Sequence, residues 1–170
     1  TYNTCSSENG TVDLTEINTV VTDNNYNIVY SYFSNEADAM ANTNALDTNY
    51  SYITNNDELF VRVQYTTTHC FDYYKFNLSV NPLPVANQPG DLISCDDNFD
   101  GLFEFDLSQQ NASILGNQNS NAYNITYYNN LDNAHNNLAA LQTNYMAFDS
   151  EIIYARIENN TTGCYSITQF

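Results

Sequence analysis

Basic residues are nearly missing from this chain: 3 Lys and Arg stand against 20 Asp and Glu, a formal charge of -17 over 170 residues. That balance excludes a nucleic-acid partner, whose phosphates are held by clustered Lys and Arg, and an anionic membrane surface on the same ground. Tryptophan is absent, which weakens any sugar-stacking platform. No apolar run approaches the ~18 residues that a membrane-spanning helix requires. There is no Gly-x-Ser-x-Gly elbow, phosphate loop or dinucleotide fingerprint. The two histidines, His69 and His135, sit in polar, turn-like contexts that suit solvated loop residues better than general bases. Carboxylates are so frequent that proximity of any two is no sign of a glycosidase pair. Without a Cys-x-x-Cys a zinc cluster is not expected either. The chain also lacks an initiator Met and a signal peptide, so its ends read as cut ends of a mature or excised segment.

What is present is a repeat. Leu59-Phe-Val-Arg-Val-Gln-Tyr-Thr-Thr-Thr-His-Cys70, running on to Phe76, returns as Ile153-Tyr-Ala-Arg-Ile-Glu-Asn-Asn-Thr-Thr-Gly-Cys164, running on to Phe170. Arg, Thr-Thr, Cys and the last Phe stay in register. A repeat of this length is a whole small domain, and two in line suggest part of a modular array. We place repeat 1 at 1–81, a connector at 82–91 and repeat 2 at 92–170. The connector holds all three prolines, Pro82, Pro84 and Pro89, and so reads as short and stiff. Repeat 2 stops at Phe170, whereas repeat 1 continues through Asn77-Leu-Ser-Val-Asn81, so repeat 2 is expected to lack its last half strand.

Period two dominates each copy. Leu59, Val61, Val63 and Tyr65 alternate with Phe60, Arg62 and Gln64, and Ile153, Ala155 and Ile157 alternate with Tyr154, Arg156 and Glu158. One face is core and the other faces solvent. A second run at Tyr74, Phe76, Leu78 and Val80 completes a hairpin, and earlier strands are predicted at 26–33, 50–54, 123–128 and 145–148. Helical turns are predicted at 106–116, with Ser108 as cap and Gly116 as stop, and at 35–41. The fold class is therefore all-β: two tandem immunoglobulin-like β-sandwich domains. The 15 Tyr and 9 Phe supply ample surface to bury and argue against disorder. Tyr30, Tyr32, Tyr127 and Tyr128 are expected in the core or in cross-strand packing. Arg62 and Arg156 are expected outward, paired with carboxylates on an acidic sheet.

Two features could carry chemistry. In Cys95-Asp-Asp-Asn-Phe-Asp-Gly101 and the residues after it, Asp96, Asn98 and Asp100, the Leu102 carbonyl, Glu104 and Asp106 have the spacing of a calcium loop. The pattern is half an EF-hand, without the terminal bidentate Glu, and a plain Asx-rich turn is the alternative. In repeat 1 only Glu8, Asn9 and Asp13 stand in the matching place, so calcium is expected in repeat 2 alone. The second feature is the cysteines. Cys5 and Cys70 correspond to Cys95 and Cys164, and equal counts in equivalent places suggest one bridge within each copy, Cys5–Cys70 and Cys95–Cys164. The rival pairing is Cys70–Cys95 across the connector, leaving Cys5 and Cys164 for neighbours. Either implies an oxidising compartment. Closing a loop of some 65 residues would stabilise a copy by roughly 4 kcal/mol.

Cys95-Asp-Asp-Asn-Phe-Asp-Gly101, Phe105-Asp-Leu107, Ile125-Thr-Tyr-Tyr128, the 154–164 run and Val80-Asn-Pro-Leu-Pro84 together resemble tandem repeats of very large Bacteroidetes, especially flavobacterial, surface proteins. Such repeats are similar to immunoglobulin-like modules of gliding-motility adhesins exported by the type IX secretion system. The resemblance covers the whole chain and carries over no catalytic residue. It implies a non-enzymatic stalk or filament at the cell surface, which the disulfides and calcium expected from the residues would stiffen. Its partners would be neighbouring repeats, with surface glycans or other surface proteins as further candidates. The alternative is a glycan- or protein-binding module, accessory to a secreted hydrolase.

Overall fold

The computed structural model describes residues 1–7, 9–22, 27–95 and 100–170, and is all-β with a few short helices. It divides into two compact units, Thr1–Pro82 and Leu83–Phe170.

In the first unit the strands are β1 (Tyr2–Cys5), β2 (Val12–Asp13), β3 (Ile28–Phe33), β4 (Asn49–Tyr50), β5 (Asn56–Tyr65) and β6 (Phe71–Asn81). The main sheet has the order β1-β6-β5-β3. Its β5–β6 hairpin is antiparallel, as the alternation of apolar residues demands, while β1 joins the outer edge of β6 in parallel. A two-stranded layer, β2-β4, packs against one face. Between them lies the core of Val12, Leu14, Ile17, Tyr32, Tyr50, Leu59, Val61, Val63, Leu78 and Val80.

The second unit repeats this plan with β7 (Leu102–Asp106), β8 (Tyr123–Tyr128), β9 (Asn144–Phe148), β10 (Tyr154–Asn159) and β11 (Tyr165–Gln169). The sheets are β11-β10-β8 and β7-β9. Leu107, Ile114, Tyr127, Ile153, Ala155 and Ile157 form the core. Among the described residues, nothing pairs with 92–95 as β6 pairs with β1.

Asparagine, about one residue in six, caps two of the helices. Helix α2 (Glu36–Ala41) starts at Asn35, whose side chain accepts a bond from the Asp38 N–H at 2.9 Å. Helix α4 (Leu131–Asn136) starts at Asn130, which accepts from Asn133 N–H at 2.8 Å. Both end on an asparagine in the left-handed region, Asn42 at φ 55° and Asn137 at φ 52°. Asn tolerates both positions because its short amide satisfies backbone groups locally. The turn predicted at 106–116 is a 3-10 segment, Leu107–Gln110, followed by helix α3 (Asn111–Leu115). Gly116 closes it, but the cap is Asp106 rather than Ser108. The Asp106 carboxylate accepts from Ser108 N–H and Oγ at 3.0 and 2.5 Å. A matching turn at Leu14–Ile17, capped by Asp13 and followed by α1 (Asn18–Val21), was not predicted, because four residues are too short for a visible period.

A carboxylate braces the turn before each central strand. Asp57 accepts from Tyr50 OH at 2.8 Å, Ile53 N–H at 2.8 Å and Thr54 N–H at 3.0 Å. Burial alone would raise the Asp57 pKa, but the bonds from Thr54, Ile53 and Tyr50 outweigh it and hold the group below its ordinary value. Glu151 does the same for Tyr145 OH at 2.7 Å and Phe148 N–H at 3.1 Å. Burial and the hydrogen bond to Asp57 push the Tyr50 phenol up to about 12.

Candidate functional site

Strand length decides the cysteine pairing. Cys5 lies opposite Asn81 at one end of β6, and Cys70 immediately precedes Phe71 at the other. Eleven residues of strand put them roughly 35 Å apart at about 3.3 Å per residue, whereas a disulfide needs Cα atoms about 6 Å apart. In the second unit Cys164 precedes β11, while Leu92, Ile93 and Ser94 lie beside Phe170 at its far end. The within-copy bridges expected from the sequence are therefore corrected: they would have to span the length of a strand. Cys5 and Cys164 are disulfide-bonded. Cys70 and Cys95 are exposed free thiols, which removes the rival Cys70–Cys95 pairing as well.

Each bonded cysteine sits beside the point where the chain leaves or enters its unit. At Cys5, the Ser6 N–H donates to the Asn81 carbonyl at 2.9 Å, one residue before the first unit ends. Near Cys164, the Ser166 hydroxyl donates to the Pro84 carbonyl at 2.8 Å. The segment after Pro84 is strapped to the second unit. Gln118 donates to the Val85 carbonyl at 2.7 Å and accepts from its N–H at 3.0 Å, while Asn87 donates its side-chain amide to Ile114 O at 3.0 Å. Buried Gln110 donates to Gly90 O at 2.7 Å. A side chain at Gly116 would press within 2.7 Å of the Asn87 amide, at a backbone φ of +59°. Glycine is therefore required there.

Of the expected calcium ligands, Asp96 and Asn98 lie outside the described residues. Asp100 accepts from the Leu102 N–H at 2.9 Å, an Asx turn into β7. From Leu102 onward the chain is extended, so Asp106 is about 13 Å from Leu102 by strand rise. Ligands of one calcium ion sit about 2.4 Å from it, so the structure does not gather Asp106 with the head of the loop. Asp106, like Asp13, is occupied as a helical cap. Glu104 stands midway along β7, opposite Met146. No cluster of three metal-ligating side chains occurs among the described residues.

Arg62 and Arg156 are a second correction. Both are only 6% exposed rather than outward on a solvated sheet. A short helix covers that face of each central strand, and the guanidinium reaches its last carbonyls: Arg62 donates to Ala39 O at 3.0 Å and Met40 O at 3.2 Å, Arg156 to Ala134 O at 3.1 Å and His135 O at 3.2 Å. The cation sits over an aromatic ring of the next strand, Phe71 or Tyr165, at 3.3 Å in both units. Arg156 also pairs with Glu158 at 2.6 Å, while Arg62 has the neutral amide of Gln64 at 3.2 Å. Sequence reasoning missed these hubs. The available signal was the fully buried alanine on each helix, Ala39 and Ala134, small enough to let the helix lie on the sheet.

The tyrosines fall where expected. Tyr32, Tyr127 and Tyr128 are buried and Tyr30 packs on the core. Their hydroxyls find amide partners: Tyr127 donates to Asn111 at 2.6 Å and Tyr128 to Asn137 at 2.5 Å, and Tyr32 bonds Asn18. His69 is exposed in a turn at φ 57°. His135 is exposed on α4, with Nδ1 3.2 Å from the Tyr165 hydroxyl.

Two copies of one small all-β plan, strung in tandem and carrying a cystine, define a class of structural repeat domain. The chain belongs to the family described as the Flavobacterium inter-domain disulphide bond domain, matched twice, over residues 1–84 and 91–170. No curated protein and no solved structure matches it.

Proposed function

We propose that this chain is a non-enzymatic structural and adhesive segment of a large secreted bacterial cell-surface protein, in which Cys5 of the first unit is bonded to Cys164 of the second. The observation that carries the reading is the placement of the two bonded sulfurs, each beside the chain where its unit meets the boundary at Pro82–Leu83. With Cys70 and Cys95 free, these two are the remaining cysteines of the chain. A bond across so short a connection converts a hinge into a fixed joint, which is what a stalk requires. The family's description as an inter-domain disulphide bond domain supports this pairing. Persistence of a disulfide fits an extracellular location, and the resemblance to gliding-motility adhesins supports export by the type IX route. Neighbouring repeats of the same polypeptide are the partners this reading requires.

A proteolytic map under non-reducing conditions tests it. The expected result is one peptide linking Cys5 to Cys164, with Cys70 and Cys95 alkylated; a Cys5–Cys70 or Cys70–Cys95 peptide would refute the joint.

The same reading includes calcium at the loop of Asp96, Asn98 and Asp100, where clustered carboxylates on a chain of charge -17 gain most from a divalent cation. Calorimetric titration is expected to give one site that Asp100→Ala abolishes. Absence of binding heat in the parent chain would reduce the loop to a turn.

A further inference from the structure

The second unit contains a groove that the first unit has filled. In the first unit β6 continues five residues past Phe76, and its Leu78 and Val80 are 1% and 4% exposed. That extension lies between β1, where Tyr2 faces Leu78 and Thr4 faces Val80, and the start of β5, where Asp57 faces Leu78. By the internal repeat, Phe170 stands at Phe76, Leu92–Cys95 at Tyr2–Cys5 and Glu151 at Asp57. The ladder of the second unit is in register to its last residue: the Ile153 N–H donates to Phe170 O at 3.0 Å, and Phe170 N–H returns to Ile153 O at 3.1 Å. Just past that pair is a cleft of about 440 Å³. Leu92–Ser94 form one wall and Ser150–Ile152 the other, over a floor that includes Phe103, Phe105 and Leu107. Its rim leaves apolar side chains in water, with Ile93 92% and Phe148 68% exposed.

We propose that this groove is an acceptor for one extended strand that continues β11 in the same polypeptide, antiparallel to 150–153 and parallel to 92–95. The occupant has apolar side chains two residues apart, the chemistry of Asn77-Leu-Ser-Val-Asn81. Two observations agree on that occupant: the walls are the sequence equivalents of the two strands that flank β6, and the lining is aromatic and aliphatic, as the side chains of a Leu78 and a Val80 require. Strand addition supplies ladder partners to the backbone of both walls, while alternate side chains fill the floor.

The test appends Asn-Leu-Ser-Val-Asn after Phe170 of the full chain, with Asn-Asp-Ser-Asp-Asn as control. Burial of a Leu and a Val in a unit of this size is expected to raise its melting temperature by about 10 °C. Amide exchange at Ile93, Ser94 and Ile152 should slow at least tenfold, with the control extension giving neither change. Equal melting temperatures for the two extensions, or stabilisation by both, would overturn the proposal. A concentration-dependent dimer of the unextended chain, protected at the same amides, would overturn it too, because the groove would then take its strand from a second copy.

Discussion

Replacing Arg156 by methionine is expected to destabilise the second unit by about 3 kcal/mol, read as a lower urea midpoint at unchanged slope. The side chain is apolar along its stem, so methionine keeps much of the packing. What disappears is a charged donor shared between two helix-terminal carbonyls, the buried one of Ala134 and the part-buried one of His135, together with its seat over Tyr165 and its ion pair to Glu158. Bonds from a charged donor contribute about 1.5–3 kcal/mol, and stranding a half-buried carboxylate adds to the loss. Arg62→Met should cost less, because Gln64 is neutral and no stranded charge remains. Lysine at either position should recover under half of the loss, since a point charge cannot reach two carbonyls and a side-chain acceptor at once. Lys75→Met is the control. Its partner Glu58 is 3.2 Å away and both side chains are more than half exposed, so the change should stay within about 0.5 kcal/mol. Equal effects at 75 and 156 would sink the hub interpretation.

Cys5→Ser should produce the larger loss. With a Cys5–Cys164 bond in place, either unit unfolds as a closed loop of some 80 residues anchored on its folded neighbour. The chain-entropy model gives roughly 4–5 kcal/mol for a loop of that size. In units of this length that corresponds to a melting shift of more than about 15 °C. Cys5 is the better position to change. Cys164 is fully buried, and a hydroxyl left there would add a desolvation penalty unrelated to the bond. Mild reduction of the parent chain should reproduce the Cys5→Ser melting curve. If reduced and oxidised chains melt together, the bond contributes nothing and the stalk reading loses its mechanical basis.

The all-β class, the β5–β6 hairpin and the central strand of the second unit were legible because alternation at Leu59–Tyr65 and Ile153–Ile157 reports a two-sided strand directly. The helical turn predicted at 35–41 is α2, and the structure supplies its cap, Asn35. Period two also misled, since it assigned Arg62 and Arg156 to solvent. It cannot register a six-residue helix folded back over that face from little more than twenty positions earlier. The cysteines failed for a different reason. Equal numbers in equivalent places are a statement about the repeat, whereas bonding depends on the distance between strand ends, and a cysteine at each end of an eleven-residue strand cannot meet the other. The acid loop was read as one ligand set because spacing alone cannot show that β7 begins at Leu102 and carries Glu104 and Asp106 away.

The parallel pairing of β1 with β6 joins the first strand of the unit to its last, with Tyr2 beside Leu78 and Cys5 beside Asn81. A tensile load applied through the two ends of the unit would pull these neighbours past one another lengthwise. All their backbone bonds would then be strained together in shear, instead of being unzipped one at a time as in a hairpin pulled at its open end. The first unit has this clamp complete, and the second would gain it only when a strand occupies its groove.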